Sequence, residues 1–249
     1  MQIQSYHVDL TTPTGIMRTY VHRPAGDGCY PSILLYSEIF QQTGPIERSA
    51  RLMAGHGYAV LVPEVFHELN PIGTVLAYDN AGRDKGNADK AAKSVEGYDS
   101  DNAAMIAWLQ QPAQQIWCNG HIGAMGFCIG GHLAFRAALQ AQIKATACFY
   151  ATDLHSHVIP NQPGQHSMER LADIQGEVML AWGKQDPHIP TTDRAQVYQQ
   201  LTESSVDFTW HEFHGTHAFM RDEGERYDPQ LSLLCYELAL DLFRRKLRQ

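Results

Sequence analysis

Short apolar runs alternate along this chain with longer stretches whose apolar positions recur every three or four residues. Runs at 33–36, 58–62, 121–125, 145–149, 178–182 and 208–211 read as strands, and 17–22 as an earlier edge strand. Most are continuously apolar rather than alternating, the pattern of strands covered on both faces. Helical spacing predicts helices over 46–56, 100–110, 131–140, 192–203 and 231–247. In the last, Leu231, Leu234, Cys235, Leu238 and Leu242 share one face that can pack on a sheet. Strand, helix, strand alternation of this kind builds a parallel sheet with helices on both sides, so an α/β class is expected. The polar interval 70–96, with DNAGRDKGNADKAAK, reads as a mobile surface loop or a partly helical excursion near the site, the loop being favoured.

Composition narrows what such a fold can do. At 249 residues and 44% hydrophobic content the chain can bury a sizeable core, and one domain over 1–249 is expected. Nineteen basic against 27 acidic side chains leave a net charge of −8, which repels nucleic acid and anionic membranes. No basic stretch leads into an apolar core at the N-terminus, and no run reaches the roughly 18 apolar residues of a membrane span. A soluble, unexported, cytoplasmic protein is the expectation. The cysteines Cys29, Cys118, Cys128, Cys148 and Cys235 are odd in number and scattered, with no CxxC pair, as free thiols in a reducing compartment are. No metal or organic cofactor is implied.

One stretch carries chemistry. GFCIGGH, residues 126–132, lies between a predicted strand and a predicted helix, which puts Cys128 on the tight turn between them. That is the context of a nucleophile elbow, with Gly126, Gly130 and Gly131 supplying neighbours without bulk. The helix N-terminus favours the sulfur anion, and the Ile129 N–H can meet a developing oxyanion. The plainer reading, a structural thiol in a glycine-rich turn, is kept for the other four cysteines. A nucleophile followed in chain order by an acid and a histidine points to Asp186 in WGKQDPHIP and His217 in HGTHAFMR, each after a predicted strand. His217 would carry the thiol proton while Asp186 fixes its tautomer. With 13 histidines in the chain, His188, His211 and above all His214 are rivals.

Together with SEIFQQTGPIERSARLMAGHGYAVLVPEVF, these motifs resemble the dienelactone hydrolases (carboxymethylenebutenolidases) of the α/β-hydrolase superfamily, from about residue 18 to 243. The resemblance implies an α/β-hydrolase fold with a mostly parallel central sheet and a triad of Cys128, Asp186 and His217. It implies that Glu38 of SEIF stands beside the nucleophile and takes its proton when substrate binds, and that Ile39 adds a second oxyanion N–H beside Ile129. An ionised carboxylate there would oppose a second anion at the sulfur, while the helix N-terminus and His217 favour it. The alternative for Glu38 is a helix-capping or solvated loop acid.

In such enzymes two arginines hold the substrate carboxylate. Arg221 matches one position; Arg83, with Lys85 as a possible point-charge substitute, is the candidate for the other. Otherwise Arg221 would pair on the surface with Asp222 or Glu225. Glu64 in VPEVF departs from the aspartate usual in the family. The expected partner is therefore a small lactone or ester bearing a carboxylate. A broad carboxylesterase acting on neutral esters, a thiol redox or sensor protein, and a catalytically silent binding module are the competing classes.

Overall fold

Residues 1–156, 159 and 164–248 are described by the computed structural model. The strands pair into one eight-stranded sheet, whose central apolar runs are covered on both faces and whose ladders satisfy the backbone. Its strands are β1 (Ile3–Thr12), β2 (Gly15–Pro24), β3 (Tyr30–Tyr36), β4 (Ala59–Pro63), β5 (Cys118–Phe127), β6 (Ile143–Phe149), β7 (Glu177–Gly183) and β8 (Phe208–Phe213). Their order is β1-β2-β4-β3-β5-β6-β7-β8. β1 and β2 are antiparallel, as are β2 and β4, and every later pairing is parallel.

The 17–22 run is not an edge strand, as its sequence suggested. It lies in β2, with β1 outside it in a hairpin that sets Thr12 opposite Gly15. That second neighbour and the helices beneath leave Met17, Thr19 and Val21 fully buried.

Helices α1 (Gly44–Gly55), α2 (Asn80–Ala92), α3 (Val95–Leu109), α4 (Pro112–Gln115), α5 (Ile129–Ala137), α6 (Thr191–Thr202) and α7 (Pro229–Leu247) connect the strands and cover both faces of the sheet. α1 and α7 are joined by a 2.6 Å hydrogen bond between Ser49 and Tyr236. α3 and α5 are joined by Arg136, whose Nε and Nη2 donate to the two oxygens of Asp99 at 2.6 and 2.7 Å. Between the layers Ile33, Leu34, Phe135, Phe149 and Trp182 are essentially sealed from water, each such side chain favouring the fold by about 1.5–3 kcal/mol.

The 70–96 interval is ordered and more than half helical. Asp79 caps α2 by accepting from the Gly82 N–H at 2.7 Å, and Ser94 caps α3 by accepting from the Gly97 N–H at 3.0 Å. Gly86 presses α2 onto the loop after β3: a Cβ there would stand 2.7 Å from the Ile39 carbonyl oxygen.

This topology locates a crevice. Chain order reverses at β3, which has β4 on one side and β5 on the other. In parallel sheets the carboxyl ends at such a reversal open a cleft where ligands bind. The loops after β3 and β5 carry Glu38 and Cys128.

Candidate active site

Cys128 occupies the turn between β5 and α5, at φ 59° and ψ −123°. A non-glycine residue holds so sparsely populated a conformation only where its surroundings over-determine it, at a cost of order 1–3 kcal/mol. Here they do. The Cys128 N–H donates to the Phe149 carbonyl at 3.1 Å, and its own carbonyl accepts from Gly131 and Thr152 at 3.0 and 3.2 Å. The neighbouring glycines are obligatory: a Cβ on Gly126 would lie 1.9 Å from the Gly130 carbonyl oxygen, and one on Gly130 would lie 2.2 Å from that of Tyr36. Cys128 is half-buried, Cys118, Cys148 and Cys235 are buried, and Cys29 is exposed.

The loops after β7 and β8 bring Asp186 and His217 together. His217 Nδ1 donates to Asp186 Oδ2 at 2.7 Å, and both residues are buried. The other Asp186 oxygen accepts the His188 N–H at 2.8 Å, which fixes the carboxylate's orientation. His217 and Cys128 line the same cavity. Burial alone would favour its neutral form, but the facing Cys128 sulfur and the Asp186 carboxylate outweigh that and raise its pKa to about 10.

The rival histidines do not reach this position. His214 is exposed, and His211 lies in β8, where its ring stacks on Phe213. His188 packs edge-on against His217 with ring centroids 4.7 Å apart, and burial followed by the His217 charge keeps its pKa low.

Glu38 is 4% exposed and follows β3, so it is neither a solvated loop acid nor a side-chain cap of α1, whose Thr43 N-cap precedes it by no side-chain bond. Burial pushes its pKa up, and the positive charges of Arg221 and then His217 only partly oppose that. Arg221 Nη1 donates to Glu38 Oε2 at 3.4 Å. The Arg221 guanidinium also lies 4.3 Å from the Tyr78 ring centroid. Arg221 does not pair with Asp222, which Arg48 claims with bonds of 2.6 and 2.8 Å.

These groups line a cavity of about 740 Å³ that includes Glu38, Ile39, Cys128, Ile129, His217 and Arg221. Arg83 lines its rim from α2 but is exposed and bound to the neighbouring Asp84 at 2.9 Å. Lys85 is not among the lining residues and pairs with Asp89 within α2. Glu64 lies buried elsewhere, accepting from the Tyr20 hydroxyl at 2.8 Å and the Gly73 N–H at 2.9 Å.

Sequence reasoning missed several wall residues. Lys90 and Asp153 also line the cavity, paired at 2.8 Å, as do Thr152 and Arg226. Helical spacing of Asn80, Arg83, Asn87 and Lys90 was the one local signal, since it sets all four on one face of α2. Among the described residues no group of three or more His, Cys, Asp or Glu side chains could hold a metal ion, and no helix is long and apolar enough to cross a membrane.

The model of the dienelactone hydrolase family matches residues 17–247 of this chain. A Saccharomyces cerevisiae protein provisionally named carboxymethylenebutenolidase is 36% identical, over 98% of this chain and 92% of its own length. The carboxymethylenebutenolidase of Pseudomonas putida is 22% identical, over 85% of this chain and 84% of its own. A crystal structure from Klebsiella pneumoniae, provisionally named dienelactone hydrolase, superposes with a TM-score of 0.84 at 21% identity, covering 98% of this chain and all of that one (100%). That last likeness concerns the fold.

Proposed function

Because the chain belongs to the dienelactone hydrolase family, we propose that it hydrolyses a small carboxylate-bearing lactone or ester through an acyl-Cys128 intermediate. The observation that carries this reading is His217, which donates a hydrogen bond to Asp186 and lines the same cavity as Cys128.

Asp186 accepts a hydrogen bond from the Nδ1–H, which leaves Nε2 for the sulfur and the substrate. Cys128 Sγ attacks the carbonyl carbon, and the C=O electron pair moves onto oxygen, toward the N–H groups of Ile39 and Ile129. The oxyanion collapses, the ring or alkoxy C–O bond breaks, and the His217 imidazolium returns a proton to the leaving oxygen. Neutral His217 then takes a proton from water as the water attacks the thioester, and the sulfur leaves. Thiolate is a good leaving group, so a cysteine suits a substrate whose own alcohol leaves as a stabilised enolate.

Glu38, which lines the same cavity, would take the thiol proton as substrate binds and pass it to His217, and its raised pKa makes it a better proton acceptor than a solvated glutamate. Arg221, on the same cavity wall, offers a carboxylate a charge-assisted hydrogen bond. A second reading, a carboxylesterase for neutral esters, is favoured by the partners those cations already have: Glu38 for Arg221 and Asp84 for Arg83. Purified protein screened against lactones and activated esters, with and without a carboxylate, separates the two. Selective turnover of the anionic members supports the first reading, and turnover of neutral esters alone supports the second.

A further inference from the structure

His132, the last residue of GFCIGGH, has no part in the chemistry above, yet it is fully buried one turn beyond Cys128 in α5. Its Nδ1 lies 3.0 Å from the Thr152 carbonyl oxygen, and its Nε2 lies 2.8 Å from Ser167 Oγ. A carbonyl can only accept, so Nδ1 carries the proton. Burial drives the pKa down to about 3, so the ring is neutral and Nε2 accepts from the Ser167 hydroxyl. Ser167 Oγ in turn accepts from Arg136 Nη1 at 3.4 Å, and the same nitrogen donates to the Gln165 carbonyl at 2.8 Å. Arg136 is itself fixed by its two-bond pair with Asp99 of α3. Donors and acceptors thus match all the way from Asp99 to Thr152.

The far end of this chain is what links it to the site. Thr152 lies between two non-glycine residues with positive φ close by, Tyr150 at 38° and Asp153 at 64°. A turn so strained keeps its shape only while neighbours hold it. It touches both partners of the proposed reaction: the Thr152 N–H donates to the Cys128 carbonyl at 3.2 Å, and the Tyr150 ring packs edge-on against His217 at 5.2 Å.

From these contacts we infer that His132 is a positioning residue: by holding the Thr152 carbonyl it clamps the 150–153 turn, which sets both the Cys128 elbow and the His217 ring. The inference rests on Cys128 and His217 being the reacting pair, and its test has a readout that does not need ester turnover.

That readout is the rate at which iodoacetamide alkylates Cys128 in the full chain, followed by mass spectrometry. His132→Leu removes both hydrogen bonds, whereas His132→Asn keeps a donor for Thr152. His132→Leu is expected to slow alkylation and to lower kcat by about 10-fold or more, with KM changed less than about two-fold, because misplacement affects the reacting atoms and not binding. His132→Asn should recover most of both. A folded His132→Leu that alkylates at the wild-type rate overturns the inference, as does an equal loss in the leucine and asparagine variants. If His132→Leu does not fold, Ser167→Ala carries the test: slower alkylation supports the clamp and an unchanged rate overturns it. Should wild type turn over no ester while alkylation still depends on His132, the hydrolase reading falls and the clamp stands.

Discussion

Arg221 reaches inward to Glu38, with Nη1 3.4 Å from Oε2, while the adjacent surface carboxylates Asp222 and Glu223 are bound by Arg48. The histidine loop therefore turns Arg221 inward to Glu38 and leaves Asp222 and Glu223 to Arg48, while Glu223 and Glu225 also line the cavity. This separation gives the pair a role at the site and suggests how to measure it.

If Arg221 serves the substrate carboxylate, Arg221→Ala should lower kcat/KM for an anionic lactone by roughly 10-fold or more, on the scale of one charged hydrogen bond of about 1.5–3 kcal/mol. A neutral ester should be affected less. Arg83 is exposed and already paired, so Arg83→Ala should cost less than Arg221→Ala. Steady-state kinetics on both substrates decides, and equal losses on the two would remove the carboxylate from the account.

Glu38 supplies a pH test of its burial. Its folded pKa is raised above the ordinary 4.5, so the folded state holds the proton more tightly than the unfolded chain does. Its favourable contribution is then complete below pH 4.5 and is lost as pH rises through the raised folded value. Glutamine cannot ionise. Glu38→Gln should therefore gain on wild type as pH rises from about 4.5, in denaturant titrations across a pH series. A pH-independent difference contradicts this.

His217 should be separable from its neighbours. His217→Ala should lower kcat by about 10²–10⁴-fold, the usual worth of a general acid–base, with far smaller losses in His188→Ala and His214→Ala. The ring's titration, followed by NMR, offers a second check. Cys128→Ala removes the sulfur that helps raise its pKa to about 10, so the imidazolium should deprotonate at lower pH. An unmoved titration would mean that Asp186 alone sustains the charge.

Gly86 tests how the Ile39 loop is held. A methyl group there would meet the Ile39 carbonyl oxygen at 2.7 Å and the Ile39 Cβ at 2.8 Å, so Gly86→Ala must push the loop or the helix aside. If Ile39 supplies an oxyanion donor, kcat should fall by up to about 10²–10³-fold, the worth of one such donor. Wild-type kcat in a folded Gly86→Ala would dissociate the loop from catalysis.

The strand, turn and helix around Cys128 were legible because local chemistry specifies them: an apolar run, three glycines and an apolar helical face coincide within twenty residues or so. Asp186 and His217 could be placed because each follows such a run. β1 was missed because IQSYHVDLTT, largely exposed at the sheet edge, carries only a weak alternating pattern. α2 was read more readily as a loop because glycine, asparagine and aspartate are poor helix formers, and here a cap and close packing on Ile39 outweigh propensity. Thr152, Asp153 and Arg226 reach the cavity through long-range packing, for which no local pattern exists.

The most direct test of the account is to trap its intermediate. Wild-type protein mixed with a slowly turned-over ester should gain the mass of one acyl group, mapped to Cys128 by peptide mass spectrometry. Cys128→Ala should fold, gain no adduct and lose hydrolysis. Hydrolysis near the wild-type rate in Cys128→Ala, or an acyl group that accumulates on another residue, would contradict it.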